Sequence, residues 1–216
     1  MKCLAISDIH SRVSRLKNLR SLMVDESIDL ILLAGDLTNG EPDALSIVDS
    51  ILSTLDFAPI LAIPGNIDSL KVSNYLFNEG ISLHKKSVSF KGQSFVGFGG
   101  AVGGFSDLNY SEFEMERSLV HLFSSIKNPS DSILVTHSPP KFTKLDTTWF
   151  LKSAGSLSVL KSISHFQPKL ALSGHVHESN GVQKIGSSLA INVSAAKSGQ
   201  AVIFDSNLLN FKRFHF

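Results

Sequence analysis

Two stretches of this 216-residue chain, IDLILLA at 28–34 and PILAIP at 59–64, are almost unbroken apolar runs, and nothing constrains the fold more. A strand that lay with one face in water would alternate apolar with polar, so a continuous run of this length implies a strand covered on both faces. Parallel sheets with crossover helices provide that environment. The segments around the two runs fit it. Lys2 to Ser7 reads as a first strand, Val13 to Glu26 as a helix, Asp29 to Ala34 as a strand, Pro42 to Asp56 as a helix, and Pro59 to Pro64 as a strand. In the first helix Val13, Leu16, Leu19, Leu22 and Met23 recur three and four apart, while Arg15, Lys17 and Arg20 fall on the other side, giving one apolar stripe to pack on a sheet.

Beyond residue 80 the strands shorten. Ser87 to Lys91 and Ser94 to Phe98 flank Gly92 and Gln93 as a hairpin. The glycine-rich GFGGAVGGF that follows lacks the spacing of a phosphate-cradling loop and reads as a turning loop. Ser111 with Glu114 forms a capping-box pattern ahead of Met115, Leu119, Leu122, Phe123 and Ile126, so a helix starts there. A strand at Ile133 to Thr136, a helix at Ser156 to His165, a strand at Lys169 to Ser173 and short strands from Val182 onward complete the pattern. No repeat or linker divides it. The expectation is one α/β domain over residues 1–216, built of two stacked mixed β-sheets flanked by helices.

Five polar motifs each follow an apolar strand-like run: Asp8-Ile9-His10, Gly35-Asp36, Gly65-Asn66-Ile67-Asp68, His137, and Gly174-His175-Val176-His177. Singly, each is as well explained by a turn or a cap. Together they lie just beyond the carboxyl ends of strands, where α/β proteins gather their ligands. Imidazole nitrogens and carboxylate oxygens suit a pair of divalent ions such as Mn, Fe or Zn. The single cysteine, Cys3, sits in an apolar run and reads as a small buried side chain, so no thiolate points to a closed zinc site.

In this order and spacing the motifs resemble those of the calcineurin-like metallophosphoesterases: Asp-x-His, Gly-Asp-x-x-Asp, Gly-Asn-His-Asp or Glu, His, and Gly-His-x-His. The likeness runs from Asp8 to His177 and implies a four-layer sandwich with a binuclear metal site. Carried over position by position, it implies that Asp8, His10 and His177 hold one ion, that Asp36 bridges, and that Asn66, His137 and His175 hold the second. Manganese is the expected metal, with Fe, Zn, Ni or Co as alternatives. Two such ions with two carboxylates leave a cleft charged about +2, which attracts a phosphate. The pKa of bound water falls from about 15.7 towards about 7, so the attack on phosphorus needs no side-chain nucleophile. Asn66 would both ligate metal and donate from its amide to a phosphate oxygen, and Asp36 would share in catalysis.

Two departures stand out. Ile67 occupies the position of the family histidine that protonates or stabilises the leaving group, and Asn39 occupies that of the second Asp of Gly-Asp-x-x-Asp, followed by Gly40 where protein phosphatases carry an arginine. The resemblance therefore implies a phosphodiesterase acting on a small phosphoester with a good leaving group. The alternative is a non-catalytic scaffold on the same fold. Asp68, without its histidine partner, is expected to cap the helix that begins near Leu70. Asn192 and Lys197 are read as a turn residue and a solvated lysine. His84, His121, His165 and His215 fit no motif, and Pro139 and Pro140 are expected to stiffen the loop after His137.

Composition closes off other classes. The 43% hydrophobic content supports a large core, and 20 Lys+Arg against 19 Asp+Glu, with no long run of either sign, offer no extended nucleic-acid surface. The apolar part of MKCLAISDIH is too short for a signal-peptide core, and no run approaches the roughly 20 residues that span a bilayer. A cytoplasmic protein without a membrane segment is expected, with a homo-oligomer left open.

Overall fold

The computed structural model describes residues 1–23, 26–148, 152–207 and 210–216. The first half alternates as its hydrophobic pattern requires: β1 (Lys2–Ile6), α1 (Val13–Met23), β2 (Leu30–Ala34), α2 (Ala44–Thr54), β3 (Ile60–Ile63) and α3 (Leu70–Asn78). All five residues of β2 are buried, which is why its sequence shows no polar alternation. Two positions of the first predicted helix, Val24 and Asp25, lie outside the described residues. Leu22, expected on its apolar stripe, is 52% exposed; Leu16, Leu19 and Met23 form the packed face.

The second half begins with a hairpin of β4 (Lys86–Phe90) and β5 (Gln93–Phe98). Lys91 and Gly92, both at positive φ, make its two-residue turn, one position earlier than the sequence suggests, and Gln93 opens the second strand. The glycine-rich stretch folds back as a small parallel ladder of β6 (Ala101–Val102) and β7 (Asn109–Tyr110). Next come α4 (Glu112–Ser124), β8 (Ile133–Thr136), α5 (Leu157–Phe166), β9 (Leu170–Ser173), β10 (Gly181–Ile185), β11 (Ser188–Asn192), β12 (Gln200–Asp205) and β13 (Phe211–His215). The capping box of α4 forms as its sequence predicts, with the Glu114 amide donating to Ser111 Oγ and the Ser111 amide to the Glu114 carboxylate.

The strands form two larger sheets. One has the order β13-β12-β1-β2-β3, the other β10-β11-β9-β8-β5-β4. In the first, β1, β2 and β3 are parallel and β12 and β13 antiparallel; in the second, β11, β9, β8 and β5 form a parallel centre with an antiparallel strand at each edge. Three apolar clusters separate four layers. Leu16, Leu19, Val48, Ile51, Val72 and Leu76 pack α1, α2 and α3 on the outer face of the first sheet. Cys3, Leu32, Ile63, Phe95, Val135 and Leu172 fill the space between the sheets. Phe98, Met115, Phe123, Val159 and Ile163 pack α4 and α5 on the second. This is the α/β architecture of two mixed sheets flanked by helices that the sequence implies, and each buried Leu, Ile or Phe adds about 1.5–3 kcal/mol of transfer free energy to it.

Register places the functional loops. Ile6 pairs with Leu33 and Ala34 with Ile63, while Phe98 pairs with Thr136 and Val135 with Leu172, so the parallel strands of each sheet end at matched heights. The two sets of loops then knit together across the inter-sheet gap: the Gly100 amide donates to the Pro64 carbonyl and the Ala196 amide to the Ser7 carbonyl.

Candidate metal centre

Each polar motif of the sequence occupies one of these loops. Three main-chain bonds lash the loops after β1 and β2 together: the Asp8 amide donates to the Gly35 carbonyl at 2.9 Å, His10 to Asp36 at 3.0 Å, and Ser11 to Leu37 at 3.0 Å. Packing is tight enough to dictate glycine in the motifs. A Cβ on Gly65 would lie 2.0 Å from Asp36 Oδ1, and one on Gly174 would lie 1.8 Å from Ser7 Oγ and 2.6 Å from Asp8 Oδ2. Asp8, His10, Asp36 and His175 all hold positive φ, between 49° and 71°, a strained backbone that functional loops concentrate and that the cross-loop bonds maintain.

Two groups of donor atoms result. In the first, one ligand atom from each of Asp8, His10 and His177 lies within 4.8 Å of the others; Asp36, His137 and His175 form the second in the same way. His10 Nε2 is 3.2 Å from His177 Nε2, which is 3.1 Å from Asp8 Oδ1. Asp36 lies between the groups, with Oδ2 3.7 Å from His10 Nε2 and 3.3 Å from His137 Nε2. Asn66 Oδ1 joins the second group, 3.1 Å from His137 Nε2. The seven residues singled out in the sequence therefore meet at one place.

Hydrogen bonds orient these atoms. His137 Nδ1 donates to the Ala34 carbonyl at 2.8 Å, which turns Nε2 toward Asp36 Oδ2 and Asn66 Oδ1. On the other side, His10 Nδ1 meets Asn39 Oδ1 at 2.9 Å. Glu41 fixes which way that amide points. Its carboxylate accepts from Asn39 Nδ2 at 2.9 Å and from the Asn39 amide at 2.8 Å, and Ser11 Oγ adds a third bond at 2.6 Å. With Nδ2 committed to Glu41 and to the His10 carbonyl, Asn39 presents its oxygen to the His10 ring, so Nδ1 carries the proton and Nε2 is free. Asp8 is held by Ser194 Oγ at 2.7 Å and by the His175 amide at 3.1 Å.

Charge completes the description. Asp8 and Asp36 are buried, and among the described residues neither pairs with a lysine or an arginine. Burial pushes both carboxyls up, but His177 and His137 for Asp8, and His137 for Asp36, bring them below the ordinary carboxylate range. Burial would also depress His137, yet Asp36 and Asp8 reverse it and raise the imidazole to about 9. His175, with weaker carboxylate contact, is pushed by burial down to about 4. The pair of carboxylates draws a cation, and the atoms turned toward the gap are imidazole nitrogens and carboxylate and amide oxygens. That donor set fits divalent ions.

Three neighbours differ from their sequence reading. Asp68 does not cap α3; Ser69 does, its Oγ accepting from the Val72 amide. Asp68 is buried and turned the other way, accepting from the amides of Leu37, Thr38 and Gly65 at 3.1, 2.9 and 2.8 Å and from Thr38 Oγ1 at 2.8 Å, so it joins the loops of Asp36 and Asn66. Asn192 is not a turn residue. It ends β11 fully buried, with Nδ2 donating to the carbonyls of Leu145 and Val176. Lys197 is half-buried, its amide donating to the Asp8 carbonyl at 3.0 Å and its charge opposing protonation of His10. Ile67, by contrast, is 42% exposed, with its amide donating to Asp36 Oδ1 at 3.0 Å.

Residues 1–179 match the family of calcineurin-like phosphoesterases. The chain belongs to that family. Members of the family are dimetal-dependent, and this chain carries two donor groups to match. It is 28% identical over 200 residues to the uncharacterized protein MJ1162 of Methanocaldococcus jannaschii, a match that covers 90% of this chain and 88% of that one. Among solved structures it resembles TT1561 of Thermus thermophilus, with a TM-score of 0.77, 19% identity, and coverage of 99% and 98%. It also resembles a protein described as a novel archaeal phosphodiesterase, with a TM-score of 0.59, 15% identity and both chains covered completely. At these identities the two structures share the fold. Among the described residues, no helix is long and apolar enough to cross a membrane.

Proposed function

We infer that the protein is a dimetal-dependent phosphodiesterase of small phosphoesters, with Asp8, His10 and His177 as ligands of one ion, Asn66, His137 and His175 as ligands of the second, and Asp36 shared. The observation that carries this reading is the position of Asp36 Oδ2, within 3.7 Å of His10 Nε2 and 3.3 Å of His137 Nε2, between two groups of inward-facing donors. Manganese is the metal we propose. When bound, a pair of divalent ions supplies an activated water and neutralises charge that builds on the phosphate oxygens.

The remaining chemistry falls to the chain. The Ala34 carbonyl and Asn39 Oδ1 accept from the Nδ1–H groups of His137 and His10, so each ring turns Nε2 toward the site, and the second proton that His137 carries below about pH 9 leaves when metal enters. Asn66 presents Oδ1 to the site and keeps Nδ2 for a phosphate oxygen, a donor that a carboxylate there would lack. Nothing at position 67 gives up a proton. General acid catalysis typically contributes about 10²- to 10⁴-fold, and the Ile67 side chain supplies none of it, so the leaving group must depart as a stable anion. Aryl phosphodiesters satisfy that condition better than alkyl phosphomonoesters.

The test compares both ester types, with Mn²⁺ present, in the unsubstituted protein and in Ile67→His. The substitution is expected to raise hydrolysis of the alkyl monoester at least about tenfold and to change the aryl diester far less. An unchanged ratio would remove the role given to position 67.

A further inference from the structure

Beside the metal centre lies a cleft of about 530 Å³, whose walls come from the loops that carry the site. One wall is Gly40 to Ser46, at the start of α2; the other is Ser69 to Lys71, at the start of α3. Asp107 closes one side. Both walls adjoin loops that carry ligands. Glu41 is bonded to Asn39, and Asn39 to His10. Leu70 follows Asp68 and Ile67, and the Ile67 carbonyl lies 3.3 Å from where a Cβ on Gly40 would be. The loop of Asp107 is pinned to the loop of Asn66, because Ser106 Oγ donates to the Asn66 carbonyl at 2.7 Å.

The lining has two properties that a phosphate site would not have. Leu45 and Leu70 are open to solvent, at 38% and 46% exposure, and present an apolar surface in the cleft. The charged side chains there are Glu41, Asp43 and Asp107 against the single cation Lys71, so the cleft is net negative while the two bound ions would make the centre net positive. Hydrogen bonds from Ser11 and Asn39 outweigh burial and hold Glu41 charged, with its carboxyl down to about 2.

We propose that this cleft receives the leaving group of the ester and selects an uncharged or cationic group with an apolar face over one that carries a further anionic charge. The inference rests on the phosphoesterase reading above and adds to it the class of substrate: a diester whose departing alcohol is neutral or positive, not a nucleoside diphosphate or another ester of a second phosphate. Opposed potentials at adjoining ends of one site would also fix the direction in which an asymmetric diester binds.

The experiment uses the Mn²⁺-loaded full chain and three aryl phosphodiesters matched in leaving-group pKa, whose departing rings are uncharged, carboxylate-bearing or trimethylammonium-bearing. The expected order of kcat/KM is cationic, neutral, anionic. In Asp43→Asn/Asp107→Lys the ratio of neutral to anionic substrate should fall about tenfold, and in Lys71→Glu it should rise severalfold. All three residues are exposed, so the substitutions leave the packed layers intact. Equal kcat/KM for the three esters, or a ratio that the substitutions do not move, would overturn the assignment of the cleft while leaving the phosphoesterase reading in place. No hydrolysis of any ester would overturn the phosphoesterase reading, and this one with it.

Discussion

His84 and His137 stand beside neighbouring strand ends of the second sheet, and their surroundings push them in opposite directions. His84 accepts the Gly99 amide on Nδ1 at 2.9 Å and meets the Tyr110 hydroxyl with Nε2 at 3.2 Å, so protein atoms satisfy both ring nitrogens. Burial, helped by Lys85, lowers it to about 3. His137 has one nitrogen satisfied by the Ala34 carbonyl, while the other faces the oxygens of Asp36 and Asn66, and the carboxylates of Asp36 and Asp8 lift it to about 9. His137 is fully buried and His84 partly so. What separates a packing histidine from a cation site is whether its second nitrogen ends on a donor or on uncompensated oxygens.

The largest effect expected from that contrast is on chemistry. His137→Ala should lower kcat/KM for an aryl diester by about 10³-fold or more, beyond the 10- to 100-fold typical of an outer partner, and should reduce bound Mn²⁺ from two ions per chain to one. His84→Phe should keep two. Metal analysis of both variants would erase the distinction if they lost ions equally.

A smaller effect concerns stability. Because the folded-state pKa of His84 lies below the ordinary 6.5, the unfolded chain takes up the proton first. The stabilisation from neutral His84 is then complete above about pH 6.5 and is lost as pH falls from there toward 3, the loss amounting to about 3 kcal/mol at pH 4. Urea titrations at pH 7 and pH 4.5 should show a steeper loss in the unsubstituted protein than in His84→Phe. Parallel losses would mean that His84 does not titrate as its partners imply.

The smallest effect tests the outer support of the first donor group. His137 is oriented by a main-chain carbonyl that no substitution can delete, whereas His10 depends on the Asn39 side chain. Asn39→Ala should therefore weaken the binding of one Mn²⁺ by about 10- to 100-fold and leave the other nearly untouched. Calorimetric titration would read this as two separated steps, and a single unshifted isotherm would show that Asn39 does not orient the ligand.

How far the sequence reveals this molecule depends on where each residue finds its partner. Continuous apolar runs announced the covered strands, and motifs placed directly after them announced a site, because strand register alone brings those loops to one edge. The residues that support the ligands were harder to read. Asp68 reads as a cap because caps are local, yet two of its three amide partners, Leu37 and Thr38, are on another loop 31 and 30 residues away. Asn192 reaches Leu145, 47 residues earlier, and Leu22 lies just off the packed stripe of its helix. Asn39 is marked in the sequence only as a departure from the family pattern, and Glu41 hardly at all. The one available signal was a carboxylate two residues from an amide that must face a histidine, and that becomes visible only when His10 is known to cross over the loop of Asp36.

The central claim is that two donor groups sharing Asp36 hold two ions that act on a phosphodiester. It is tested most directly by titrating metal-free protein with Mn²⁺ while following hydrolysis of bis(p-nitrophenyl) phosphate. Two ions per chain are expected to bind, with turnover appearing as the second site fills and disappearing on chelation. Two bound ions without turnover on any phosphoester would instead make the protein a metal-binding scaffold, and hydrolysis that persisted in metal-free protein would contradict the account altogether.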